Sequence, residues 1–400
     1  MSVGLLASAT SEQAMLVDAS VRFIENSLPL AGVRELAASP GGAEGDYFKA
    51  AGSLGWFGLL VGESDGGGSA SGNGLLDAAV VGAERGAFLQ PGPFVGMNVV
   101  AYALSTVERG NQRRGGGGQR RREHLTRLVT GEARMTWVAG GIKQLTPGVG
   151  EVAVRPDGDG FALTGEVRHV QDAIDCEALL VTAHGPDGLS QLVVAADTPG
   201  VEIRRLEGLD VTRRTCVVRL HDVRVGADAL LGTAGQPTEE MVARQLRIAA
   251  VLSAAETVGA MSRDFELAVE YAGTRIAFGR PIGSFQAVKH LLADTSLSLE
   301  MAKALVVSAA EGWGPGSPDG AGGADGAGGA DGAGLAHAAK AFVAEHGIEL
   351  THACFQVFGG VGYTWEHDHH LFMRRIASDA VAFGSAEWHR SRLGERIGVA

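Results

Sequence analysis

From Ser11 to about Val107, apolar residues recur at helical spacing and are broken by glycine-rich connections, of which Gly62-Glu63-Ser64-Asp65-Gly66-Gly67-Gly68 is the clearest. This part of the chain reads as α-helical. Between about Ala133 and Gly232 the period shortens to that of strands, in the runs Val152-Ala153-Val154, Phe161-Ala162-Leu163-Thr164, Leu179-Leu180-Val181-Thr182, Gln191-Leu192-Val193-Val194 and Cys216-Val217-Val218-Arg219-Leu220. Asp157-Gly158-Asp159-Gly160 and Gly185-Pro186-Asp187-Gly188 carry turn chemistry between neighbouring runs, which predicts a small antiparallel β domain. From Glu239 onward the helical period returns. Val288, Leu291 and Leu292, Thr295, Leu299, Ala302 and Val306 form an apolar stripe that begins just after Ser284, a suitable N-cap.

Two segments fall outside these periods. Arg113 to Arg122 gathers five arginines around four glycines, a composition that resists burial and predicts an exposed loop, with an anion or acyl carrier docking patch as its functional reading. Gly312 to Gly334 contains Ala-Gly-Gly-Ala-Asp-Gly twice and offers almost no apolar side chain to bury, so it reads as a flexible tether between two bundle helices. The pattern thus divides the chain into an N-terminal helical domain (1–132), a middle β domain (133–235) and a C-terminal helical bundle (236–400, with 312–334 as a loop).

The 400 residues, 45% hydrophobic, suffice for a large core. A net charge of -12 argues against a surface built for nucleic acid. Cys176, Cys216 and Cys354 form no closely spaced pair, so neither a disulfide framework nor a zinc knuckle is expected, and a reducing cytoplasm fits. The first ten residues show no signal-peptide pattern, and no apolar run approaches a membrane span. His367, His369 and His370 beside Glu366 and Asp368 suggest a metal site at first sight, but adjacent histidines on a helix face different ways, and no metal is expected.

The chemistry enters with two C-terminal motifs. Arg275 and Phe278-Gly279-Arg280-Pro281-Ile282-Gly283-Ser284-Phe285-Gln286, followed by His290 and Leu292-Ala293-Asp294, form the first; Gln356, Gly359-Gly360 and Gly362-Tyr363-Thr364-Trp365-Glu366-His367 form the second. Together with Leu54-Gly55-Trp56-Phe57-Gly58-Leu59 and Pro91-Gly92-Pro93-Phe94, they resemble the acyl-CoA dehydrogenase family over most of the chain, and the phrases around Gln286 and Trp365 resemble its actinobacterial branch. The resemblance implies a mainly α fold with a central β barrel or sandwich and a C-terminal four-helix bundle. It also implies FAD, an acyl-CoA or acyl-carrier-protein thioester, and a homo-oligomer or a hetero-oligomer with a homologous subunit.

In that family the first motif reaches the ADP portion of a neighbouring subunit's flavin, which assigns Arg275, Phe278 and Gln286 to cofactor binding; an arginine fork suits a pyrophosphate. The resemblance adds Gln356, Gly359, Gly360, Thr364 and Glu366 to the same dinucleotide, with Thr136 and Trp137 keeping part of a flavin-ring contact. The family's catalytic carboxylate removes a proton α to the thioester. Its usual position aligns with Phe383, and the alternative position on the first bundle helix aligns with Ala249, beside Ala250. Asp379, four residues before Phe383, is the candidate substitute base, ahead of Glu366 and Glu256. The expected activity is α,β-desaturation of an acyl thioester with FAD as hydride acceptor. The alternatives are a non-catalytic partner subunit of a base-bearing homologue, or a repurposed member performing oxygenation or cyclisation.

Overall fold

Local signals place some element boundaries. Thr10 and Gln13 form a reciprocal capping box at the start of the first helix, Asn73 caps the fourth, and Ser385 caps the last. A computed structural model describes residues 2–38, 43, 45–107, 117–139, 150–313 and 332–399. Six helices come first: α1 (Ser11–Ser27), α2 (Leu30–Ala37), α3 (Gly45–Ser53), α4 (Gly74–Ala87), α5 (Phe94–Thr106) and α6 (Gly117–Val129). Then follow β1 (Met135–Val138), β2 (Val152–Asp157), β3 (Gly160–Gln171), β4 (Ala178–Gly185), β5 (Gly188–Ala195), β6 (Val201–Arg205), β7 (Thr215–Gly226) and β8 (Leu230–Leu231). The C-terminal part is α7 (Gln236–Thr274), the short hairpin β9 (Ile276–Ala277) and β10 (Arg280–Pro281), α8 (Gln286–Glu311), α9 (Gly332–Phe358), α10 (His369–Asp379) and α11 (Ala386–Ile397).

The strands form one eight-stranded sheet in the order β6-β7-β3-β2-β4-β5-β8, with β1 also paired to β4. Both predicted turns close hairpins: Asp157 pairs with Gly160 and Gly185 with Gly188, each across two residues. The sheet is not purely antiparallel, as the alternation had suggested. β1 and β2 both run parallel to β4, so the sheet is mixed. Two cores result. One runs without a break from the N-terminal helices through Met135 and Trp137 to α7–α10, and the other lies on the opposite side of the sheet around Leu163, Leu179 and Val218.

Several sequence expectations need correction. Ser284 does not cap α8; its hydroxyl donates to the Pro281 carbonyl (2.7 Å), and Phe285 precedes the first helical turn. Part of the arginine-rich segment lies outside the described residues, and its end is helix α6, not loop. There Arg120 pairs with Asp228 (2.8 Å) and the buried Arg121 donates to the Leu104 carbonyl, so two charges of the supposed docking patch serve the fold. Most of the Gly312–Gly334 tether also lies outside the described residues; its flanks meet, since a Cβ on Gly332 would sit 2.6 Å from the Gly312 carbonyl oxygen. No described helix is long and apolar enough to cross a membrane.

Candidate active site

A cleft of about 460 Å³ opens where β1, the end of β3, the 206–209 segment and the end of α10 converge. Thr136, Trp137, His169, Gln171 and Phe383 are among its lining residues. The β3–β7 ladder shifts register between Val167 and Val170, and within that bulge His169 takes a left-handed backbone (φ 62°) and is exposed at the cleft. Its imidazole is held below its usual range by partial burial and by the charge of Arg168. His169 was missed in the sequence because a bulge leaves no mark in strand alternation.

Thr136 and Trp137 are 2% and 3% exposed, and their polar atoms are already committed. The Thr136 hydroxyl donates to the Gln171 carbonyl (3.2 Å), and the Trp137 indole N–H donates to Thr182 Oγ1 (2.9 Å). Thr182 also accepts from Gln191, which donates in turn to Gln245 on α7 (2.7 Å). Both residues line the cleft, but neither side chain offers it a free donor.

The carboxylates are arranged differently from the expectation. Asp379 ends α10, so no helical turn carries it to Phe383, which instead follows three turn residues and adopts φ 55°. Ala377, Ser378 and Phe383 line the cleft; Asp379 does not, and it is 1% exposed. Its Oδ1 accepts from Arg213, whose other terminal nitrogen donates to Glu256. Glu256 is shared with Arg85 (3.4 Å), which reaches Tyr47 (3.2 Å) and lies over the Phe94 ring (4.7 Å). Arg375, one turn before Asp379 on α10, bonds Asp210 (2.7 Å) and not Asp379. Burial raises the Asp379 carboxyl despite the neighbouring Arg213 and Arg375 guanidiniums. Burial would do the same to Asp210, but there Arg375 and Arg213 outweigh it and the pKa is lowered. Ala249 is fully buried within α7. Glu207 is the carboxylate that does line the cleft, from the exposed 206–209 segment.

The residues that the sequence resemblance assigns to a dinucleotide gather elsewhere. Tyr271 near the end of α7 meets Phe358 at the end of α9 (ring centroids 5.5 Å), which brings the segments that follow each helix to one end of the bundle. Arg275, Phe278, Gln286, Gln356, Gly360, Thr364 and Glu366 are all exposed there. Phe278 and Gly279 form the two-residue tip of the β9–β10 hairpin, with φ 52° and 77°, the positive angles that a tight twisted hairpin requires. Phe278 is 96% exposed. A Cβ at Gly279, Gly359 or Gly360 would meet nothing within 4 Å, so this surface is open to a ligand or a partner. The Thr364 hydroxyl donates to the Val361 carbonyl (3.0 Å). α10 begins close to this surface and ends at the cleft, a rise of roughly 16 Å for 11 residues.

The histidine cluster is used internally. His369 bonds Asp264 (2.8 Å) and His370 stacks on Trp365 (4.7 Å), and among the described residues no three metal-type ligands converge.

The arrangement of helices around a central sheet is shared with known proteins. The acyl-CoA dehydrogenase C-terminal domain family matches residues 239–398. Acyl-CoA dehydrogenase IpdE2 of Mycolicibacterium smegmatis is 29% identical over 339 residues, covering 85% of this chain and 83% of that protein. Residues 239–398 carry the acyl-CoA dehydrogenase C-terminal domain, and the similarity to acyl-CoA dehydrogenases extends over most of the chain. Two solved structures share the fold at lower identity. The ChsE4-ChsE5 complex from Mycobacterium tuberculosis superposes with a TM-score of 0.82 at 23% identity, covering 98% of this chain and 99% of that one. A glutaryl-CoA dehydrogenase from Mycobacterium smegmatis in complex with FADH2 superposes with a TM-score of 0.77 at 20% identity, covering 98% and 95%. Phe383 and Ala249 stand at the two positions that the resemblance in sequence implies for the base.

Proposed function

We propose that this chain is the partner subunit of a heteromeric acyl-CoA dehydrogenase, lending its exposed dinucleotide surface to a flavin whose base-bearing site lies on a homologous subunit. The observation that carries the reading is that Asp379 and Glu256, both buried and neither lining the cleft, share Arg213. Burial raises the Asp379 carboxyl, but one of its oxygens is occupied by Arg213 and the group is absent from the cleft lining, behind the wall that Phe383 forms, so it does not reach a thioester held in the cleft. The donors on the opposite surface are uncommitted in kind: Arg275 supplies a fork, Gln286 and Gln356 supply amides, and Gly359 and Gly360 leave room for close backbone approach. That set fits the pyrophosphate of FAD, which when bound supplies the hydride acceptor for α,β-desaturation of an acyl-CoA or acyl-carrier-protein thioester. The heteromeric ChsE4-ChsE5 neighbour supports the assembly. A committed Thr136 hydroxyl and Trp137 indole support a weak flavin site in this chain's own cleft.

A second reading, desaturation in the chain's own cleft, is favoured by the cleft's size and by Glu207 on its lining. In that reading Asp379 acts as base only once Arg213 releases it. Visible absorption and acyl-CoA bleaching, measured on the chain alone and after co-expression with a base-bearing homologue, separate the two. We expect little flavin alone, and a yellow complex that bleaches with thioester. A yellow, bleachable protein without the partner would overturn the partner-subunit reading in favour of the second.

A further inference from the structure

Phe383 combines two properties that need explanation. It forms part of the cleft wall, and it holds a left-handed backbone (φ 55°), a region that a side-chain-bearing aromatic residue occupies at a cost. Something outside the cleft must therefore hold it. The residue that does so is His389, 1% exposed on α11, whose Nε2 lies 3.0 Å from the Phe383 carbonyl oxygen.

The bonding fixes where the protons sit. A carbonyl only accepts, so Nε2 of His389 carries a hydrogen. Burial first, then the charges of Lys340 and His337, push His389 down to about 3, so the ring is neutral at ordinary pH and its Nδ1 is a bare lone pair. Nδ1 of His337, on α9, lies 2.8 Å away and is the donor to it. The result is a directed chain from His337 through His389 to the carbonyl of Phe383.

The surroundings agree with this arrangement. Gly384 leaves space for the imidazole: a Cβ there would stand 2.6 Å from Nε2 of His389. Trp388 packs edge-on to both imidazoles (centroids 5.7 and 4.9 Å), and its backbone N–H is capped by the Ser385 hydroxyl (3.2 Å), which sets the first turn of α11. α9 is thus linked through α11 to one peptide group at the cleft.

We propose that His389, oriented by His337, is a positioning residue that holds Phe383 in its left-handed conformation and so fixes the shape of the cleft wall. It touches no ligand; it acts through the Phe383 carbonyl. The proposal stands whichever subunit performs the chemistry, because it concerns the wall and not the base.

Two measurements test it. Nitrogen-15 NMR of histidine-labelled wild-type protein reads the tautomers without any substitution: we expect His389 protonated on Nε2 only and His337 protonated on Nδ1. A His389 proton on Nδ1 would overturn the assignment. Fluorine NMR of 4-fluorophenylalanine protein, with the Phe383 signal identified by its loss in F383L, reads the wall itself. The signal should shift or broaden in His389→Leu and stay in place in His389→Gln, whose amide N–H reaches a similar position. The melting-temperature loss in His389→Leu, about 2–4 °C, should shrink by at least half in an F383G background, where the left-handed residue no longer needs holding. An unmoved Phe383 signal in His389→Leu, or an equal loss in both backgrounds, would show that His389 only fills space.

Discussion

Arg213 donates to Oδ1 of Asp379 from the loop between β6 and β7, bridging the sheet to the end of α10. Both side chains are nearly inaccessible, at 4% and 1% exposure, and the second oxygen of Asp379 is buried without a partner among the described residues. Such a pair contributes little net stability relative to apolar packing, yet breaking one half of it leaves a buried charge uncompensated.

Asp379→Asn should therefore destabilise the chain by about 3 kcal/mol, a value typical of removing one partner from a buried pair. Urea unfolding with an unchanged slope would measure it. A loss below about 1 kcal/mol would mean that the pair behaves as an exposed one does.

Arg275→Ala should leave folding unaltered, because the side chain is exposed. In the assembled complex it should lower flavin affinity by about 2 kcal/mol, roughly thirtyfold, through loss of a charge-assisted contact. Flavin titration of the apo complex decides the matter: unchanged affinity removes Arg275 from the cofactor site.

Phe278 presents nearly its whole ring to solvent from a strained hairpin tip. Phe278→Ala should cost the isolated chain almost nothing, while weakening association with its partner by about 2 kcal/mol or more, as truncation of a buried aromatic anchor does. Analytical ultracentrifugation of the mixed subunits gives the answer, and undiminished assembly would assign Phe278 no role at the interface.

Lys340 yields a pH prediction. Burial lowers its ammonium to about 8, against the attraction of Asp379, while the unfolded chain keeps that proton up to the ordinary lysine value near 10.4. Between those limits the unfolded state binds more protons, so stability rises with pH across that window; the cost of burying the charged form is felt in full below pH 8. Lys340→Met should remove this rise. Parallel pH profiles of the two proteins would test it, and identical slopes between pH 8 and 10 would count against a buried, weakened ammonium.

Much of this protein was legible in its sequence because the deciding forces are local. Two-residue turns at Gly158-Asp159 and Pro186-Asp187 and the change of apolar period all act over a few residues, whereas the cap read at Ser284 does not form. The motifs around Arg275, Phe278 and Gln356 were likewise readable as strings, and the similarity to acyl-CoA dehydrogenases follows from them. Only the tertiary structure decided what long-range contacts control. Parallel pairing of β1 with β4 joins residues some forty apart, the bulge at His169 depends on its partner strand, and the fate of Asp379 rests on Arg213, 166 positions away. A carboxylate spaced one turn from the expected base looks the same in sequence whether it faces a ligand or a guanidinium. Folding separates the two cases, because a buried charge takes the partner that the chain's packing brings to it.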